Sequence, residues 1–152
     1  MILPLEGLSV VEGSAFVAAP SGGMTLAQMG AEVIRFDQLG GGIDYKRWPL
    51  TEEGVSLYWN GLNRGKKSFV ADLRAPEIQI LLSELIATSG NFLTNFPTRG
   101  WLSYEKLSEK RPDLVMVAIT GSHDGTTAVD YTINCAVGIP SITGHVDDSR
   151  PV

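Results

Sequence analysis

Apolar positions along this chain come in two rhythms that take turns. Leu8–Glu12 is a short apolar run that reads as a strand. A helix-like stretch follows near Ser21–Met29, with Gly30 as its natural stop, and Glu32–Phe36 reads as a second strand. A glycine-rich loop opens at Gly40-Gly41-Gly42 and stays polar to about Gly54, and Ser56–Leu62 reads as a short amphipathic helix. Ser68–Asp72 is a third strand. The clearest helix begins at Pro76, where Ile78, Leu81, Leu82, Leu85 and Ile86 repeat on one face of a 3.6-residue period. Pro76 suits the first helical position, Glu77 complements the positive end of the helix dipole, and Ser89-Gly90 ends the element. Phe92–Asn95 is a fourth strand, Ser103–Glu109 a short helix opened by a capping serine, and Leu114–Thr120 a continuous β-branched run that predicts a buried fifth strand. Strands separated by helices predict an α/β fold: a Rossmann-like open parallel sheet with helices on both faces.

The last third behaves differently. Gly121–Asp130 is polar and rich in Gly and Thr, Gly138–Gly144 shows no period, and Asp147–Val152 reads as a loop. A doubly wound sheet seldom stops in mid-loop, so the 152 residues are expected to be part of a longer polypeptide.

The first βα loop, Gly13 to Gly23, lies at the carboxyl end of a strand, where open parallel sheets bind ligands. It lacks G-x-G-x-x-G, because Gly13, Gly22 and Gly23 have the wrong spacing for a dinucleotide fingerprint. Its small residues either let a ligand approach the backbone or simply make a tight turn, with Pro20 fixing φ ahead of the helix.

Composition narrows the partners. The formal charge is −5 with no basic stripe, which argues against nucleic acid and requires that any anion site be local. One cysteine, Cys135, excludes an internal disulfide and reads as a small buried hydrophobe. No run approaches the roughly 20 apolar residues that span a bilayer, and the N-terminus has no basic n-region, so a cytoplasmic protein is expected. His123 and His145 have no metal-spaced partner, so no metal site is expected. Asp147 and Asp148 read as solvated acids.

Four segments remain as candidates for chemistry. Asp37 after the second strand either holds a ribose hydroxyl or initiates a turn. Asn63-Arg64-Gly65-Lys66-Lys67-Ser68 either meets phosphates or is a solvated loop. Arg74 lies at the carboxyl edge of the third strand. Asn95-Phe96-Pro97-Thr98-Arg99-Gly100-Trp101 puts an amide, two aromatic rings and a guanidinium on one loop, suited either to a purine and its phosphates or to covering the core.

Taken in order, Pro4-Leu5-Glu6-Gly7, Ala18-Ala19-Pro20, Met29-Gly30-Ala31-Glu32-Val33-Ile34, Gly40-Gly41-Gly42 with Arg47-Trp48, Asn63-Arg64-Gly65-Lys66-Lys67-Ser68 with Asp72-Leu73, and Asn95-Phe96 resemble the class III coenzyme A transferases, most closely the mesaconyl-CoA transferase branch. The resemblance implies covalent catalysis. An aspartate attacks an acyl-CoA thioester to give a mixed anhydride and CoA thiolate; the thiolate returns to form an aspartyl-CoA thioester, from which CoA passes to an acceptor acid. In that register the nucleophile falls beyond Val152, and this chain is the N-terminal CoA-binding portion of a larger interlocked-dimer fold. The resemblance places Val17 and Ala18 at the pantetheine and thioester end of the ligand. It places Gln38, Leu73, Arg74, Asn95, Phe96 and Arg99 around the adenosine and phosphates. CoA thioesters are then substrates, with no cofactor bound permanently, and the partners are acyl-CoA and carboxylic acids, with neither nucleic acid nor membrane. Two other readings stay open: a non-catalytic CoA- or nucleotide-binding module complete at 152 residues, and an acyl-CoA racemase-type member of the same family.

Overall fold

The structure is a computed structural model that describes residues 3–144, so His145, Asp147 and Asp148 lie outside the described residues. The chain divides into two compact units, Met1–Ile119 and Thr120–Val152.

The first unit carries five parallel strands, β1 (Ser9–Gly13), β2 (Glu32–Gln38), β3 (Lys67–Ala71), β4 (Asn91–Thr94) and β5 (Val115–Ala118), in the order β3-β2-β1-β4-β5. The chain winds outward from β1 in one direction through β2 and β3, then restarts on the other side of β1 with β4 and β5. The place where direction reverses, between β1 and β4, is where such sheets open a crevice at their carboxyl edge.

Side chains alternate across each strand, so neighbouring residues serve opposite faces. Val10 and Val33 face one side with Leu93, against Ala19, Leu26 and Ala27 of helix α1 (Ala18–Gln28). Val11, Phe36 and Phe92 face the other, against Leu82 and Ile86 of α3 (Pro76–Ser89) and Leu107 of α4 (Tyr104–Lys110). Helices therefore cover both faces, as the alternating pattern predicts. Phe36 centres the second layer, with its ring 6.3 Å from Phe92, 6.1 Å from Phe96 and 6.3 Å from Trp101. That stacking is possible because β1 has no side chain at Gly13, where a Cβ would stand 2.3 Å from Phe36 Cζ.

Two serines cap helices, Ser103 as the sequence signal predicts. Ser56 Oγ accepts from Trp59 N–H to open α2 (Leu57–Asn63), and Ser103 Oγ accepts from Lys106 N–H to open α4. Helix α1 starts at Ala18, ahead of the expected Ser21, because Pro20 is tolerated within the first turn, where its missing N–H has no carbonyl to meet.

Two expectations are corrected. β5 is not a buried strand: among the described residues it lies at the sheet's edge, paired with β4 alone, and Val115 and Val117 are exposed. A continuous apolar run does not distinguish a central strand from an edge. Cys135 is not buried either. In the second unit it lies exposed on α5 (Asp130–Ala136), a short helix with no buried residue. A single 3-10 turn, Ile139–Ile142, completes the described part of that unit. Among the described residues no helix is long and apolar enough to cross a membrane.

Candidate functional site

The carboxyl ends of four strands meet around one cavity of about 360 Å³. Ser14, Ala15 and Phe16 enter it after β1, Asp37 and Gln38 from the end of β2, Gly42 and Ile43 from the loop beyond, Leu73 after β3, and Asn95 with Phe96 after β4. This is the switch-point crevice that the strand order dictates. Of the eight residues expected at a ligand, Gln38, Leu73, Asn95 and Phe96 line the cavity. Val17, Ala18, Arg74 and Arg99 are exposed and do not line it. Phe96 serves two readings at once, since it lines the cavity and packs edge-on against Phe36, while Trp101 packs on the core.

Beneath the cavity lies a buried charge cluster. Arg35 and Asp37 follow Val33 at two-residue spacing on β2, and Glu12 follows Val10 on β1, so all three share the α1 face. Arg35 donates through Nε to Asp37 Oδ2 at 2.9 Å and through Nη2 to Asp37 Oδ1 at 3.0 Å, a bidentate pair. Its Nη1 donates to Glu12 Oε1 at 3.2 Å, Ser14 Oγ at 2.8 Å and Asn63 Oδ1 at 3.1 Å, and Nη2 also reaches the Ser14 carbonyl at 2.7 Å. The guanidinium carbon sits 4.2 Å from the ring centre of Trp59. Lys66 Nζ completes the cluster, donating at 2.8 Å to Glu12 Oε1, the Pro20 carbonyl and Asn63 Oδ1. Burial holds the Lys66 pKa below the usual lysine value despite the opposing pull of Glu12.

This arrangement gives residues of two candidate segments partners within the fold. Both oxygens of Asp37 accept from Arg35, so its charge is paired within the fold. In the basic segment Lys66 pairs with Glu12 and Lys67 with Glu32, while Arg64 is exposed. Among the described residues, no group of acidic, histidine or cysteine side chains is placed to hold a metal ion.

Sequence reasoning missed Glu12, Ser14, Phe16 and Arg35. A signal for two of them, Glu12 and Arg35, was present. Charged residues stand in register with Val10 and Val33 in strands that helices cover on both faces, and charges at such positions must find each other. Phe16 carried no signal, because its backbone is set by distant residues.

Comparison with known proteins adds the relationship. The sequence profile described as CoA-transferase family III matches residues 5–152. The chain is 59% identical over 147 residues to the 2-methylfumaryl-CoA isomerase of Chloroflexus aurantiacus, covering 93% of this chain and 36% of that protein. It is 36% identical over 160 residues to the succinate–glutarate CoA-transferase of Agrobacterium fabrum, covering 95% of this chain and 40% of that one. Among solved structures, a CAIB/BAIF family protein from Brucella suis superposes with a TM-score of 0.87 at 31% identity, over all of this chain and 44% of its own length. The chain thus spans well under half the length of the relatives it matches.

Proposed function

The chain belongs to CoA-transferase family III, and we propose that it is the N-terminal, CoA-binding part of an enzyme that moves CoA between carboxylates of small dicarboxylic acids such as mesaconate, through an aspartyl-CoA thioester whose aspartate lies beyond residue 152. The observation that carries this reading is the cavity. It gathers Gln38, Leu73, Asn95 and Phe96 from three separate strand ends into one wall. Ala15, Phe16, Ile43, Leu73 and Phe96 offer apolar surface to a ligand arm, and Gln38 and Asn95 offer amides. Mesaconate is 2-methylfumarate, the acid in the name of the relative at 59% identity, which supports this acid class for the present protein.

The cavity has room for part of CoA, within the range of about 300–1,000 Å³ common to small-molecule sites. The phosphates then lie on the outer surface, where Arg74 and Arg99 have no side-chain hydrogen bond or ion pair among the described residues. The complete protein in this reading is an interlocked homodimer of the cytoplasm that uses CoA thioesters as substrates and retains no cofactor.

Three measurements test it. The intact mass of the native gene product is expected well above 16.4 kDa; a product of that mass would remove the catalytic half of the proposal. Calorimetric titration of that product with CoA is expected to show binding that weakens in Arg74→Ala and Arg99→Ala. If neither variant shifts the affinity by more than about twofold, under roughly 0.5 kcal/mol, the phosphate assignment is wrong. Supplied with mesaconyl-CoA, the protein is expected to exchange the thioester between the two carboxylates or pass CoA to an added dicarboxylate, as followed by chromatography. Binding without either reaction would point to a non-catalytic CoA-binding module.

A further inference from the structure

Asn95 does more than line the cavity. Its side-chain amide faces the backbone of Ala15, where Oδ1 accepts from Ala15 N–H at 2.8 Å and Nδ2 donates to the Ala15 carbonyl at 2.7 Å. Exchanging the amide's oxygen and nitrogen would set donor against donor and acceptor against acceptor, so its orientation is fixed. The preceding residue is held as firmly, because Arg35 donates both to the Ser14 carbonyl at 2.7 Å and to Ser14 Oγ at 2.8 Å. The residue that follows, Phe16, has φ 62°, the one positive value at a non-glycine position among the described residues. For a phenylalanine this conformation is disfavoured, since its Cβ crowds the following carbonyl. Phe16 is 45% exposed at the cavity, and the Arg47 guanidinium is 5.9 Å from the ring centre. A strained residue persists where its neighbours are over-determined, and here those neighbours are Ser14 and Ala15.

We propose that Asn95 is a positioning residue: by clamping Ala15, with Arg35 clamping Ser14, it holds Phe16 in the left-handed conformation that turns β1 into α1 and sets this part of the cavity wall in advance. The part played in ligand binding rests on the CoA reading above; the conformational part stands without it. A flexible acyl-CoA arm then meets a wall that it does not have to order, which favours binding by lowering the entropy lost on association.

The test uses the rule that glycine and alanine exchange rank with backbone conformation. At an ordinary position alanine is the more stabilising, and at positive φ glycine is. Phe16→Gly and Phe16→Ala are compared by thermal unfolding of the native gene product, with Asn95 present and in Asn95→Ala. With Asn95 present, Phe16→Gly is expected to melt higher than Phe16→Ala, and without the clamp the order reverses. The same order in both backgrounds overturns the clamp, whatever CoA does. If Asn95→Ala does not fold, Asn95→Asp releases half of the clamp, because it keeps the acceptor for Ala15 N–H while setting a second oxygen against the Ala15 carbonyl; the margin of Phe16→Gly over Phe16→Ala is then expected to shrink, and an unchanged margin overturns the clamp. In calorimetry with CoA, Asn95→Ala with Phe16 intact is expected to weaken binding at least tenfold, and a change within twofold overturns the role in ligand positioning. A reversal of order in a protein that binds no CoA upholds the clamp and removes the CoA reading.

Discussion

Replacing Arg35 with methionine is expected to cost about 3–5 kcal/mol of folding free energy, seen as a drop in the urea midpoint of the native gene product. The size follows from what the guanidinium leaves behind. Arg35, Glu12 and Asp37 are at most 2% exposed, and the Lys66 ammonium end is equally sheltered, so four buried charges sum to zero. Without Arg35 two carboxylates share one ammonium, and Asp37 loses both of its donors. An uncompensated buried charge costs far more than an exposed pair contributes. The double variant Arg35→Met/Asp37→Leu is therefore expected to be more stable than Arg35→Met alone, because it returns the cluster to one carboxylate and one ammonium. A loss below about 1 kcal/mol in the single variant, or no recovery in the double, would mean that water reaches these groups and that they do not hold the β1 loop.

The second large effect is expected at Gly23. Alanine is ordinarily the better helix residue by about 1 kcal/mol, and Gly23 lies inside α1. Here packing reverses that preference. A Cβ at position 23 would stand 1.7 Å from Glu12 Oε2 and 2.8 Å from Glu12 Cδ. The carboxylate cannot swing aside, since its other oxygen accepts from Ser14, Arg35 and Lys66. Helix α1 must lift from the sheet instead, which also pulls the Pro20 carbonyl from Lys66. Gly23→Ala is expected to destabilise by roughly 2–3 kcal/mol net in the same urea assay. Glu12→Asp in that background, shorter by one methylene, is expected to return part of the loss. A neutral or stabilising Gly23→Ala would show that α1 moves freely over β1, and the packing argument would fail.

Both effects concern the support of the cavity rather than its lining. Ser14 is held by Arg35, Ala15 by Asn95, and the Gly13 carbonyl accepts from Thr94 Oγ1 at 2.7 Å. Three successive residues leaving β1 are thus tied to β2 and β4, the two strands that flank β1 in the sheet. Strand ends tied together in this way hold the cavity wall in one arrangement, and under the proposed function that wall is set before CoA arrives.

The element order was legible before folding, because periodicity and capping are local. The i, i+3, i+4 spacing from Ile78 to Ile86, the capping Ser103, and the β-branched runs each act within a few residues, and the elements they predict appear within three residues of their expected ends. The sequence also placed the first βα loop at the carboxyl edge of the sheet, since that follows from the strand-loop-helix order alone. What the tertiary structure decided is how charge and backbone are spent across the chain. Lys66 meets Glu12 from 54 residues away, Arg35 meets it from 23, and Asn95 reaches Ala15 across 80. Before folding, a lysine in a basic run and an aspartate after a strand have several possible partners of equal merit. Burial removes water as the default partner, and the charges must then pair with whichever groups the sheet order sets beside them.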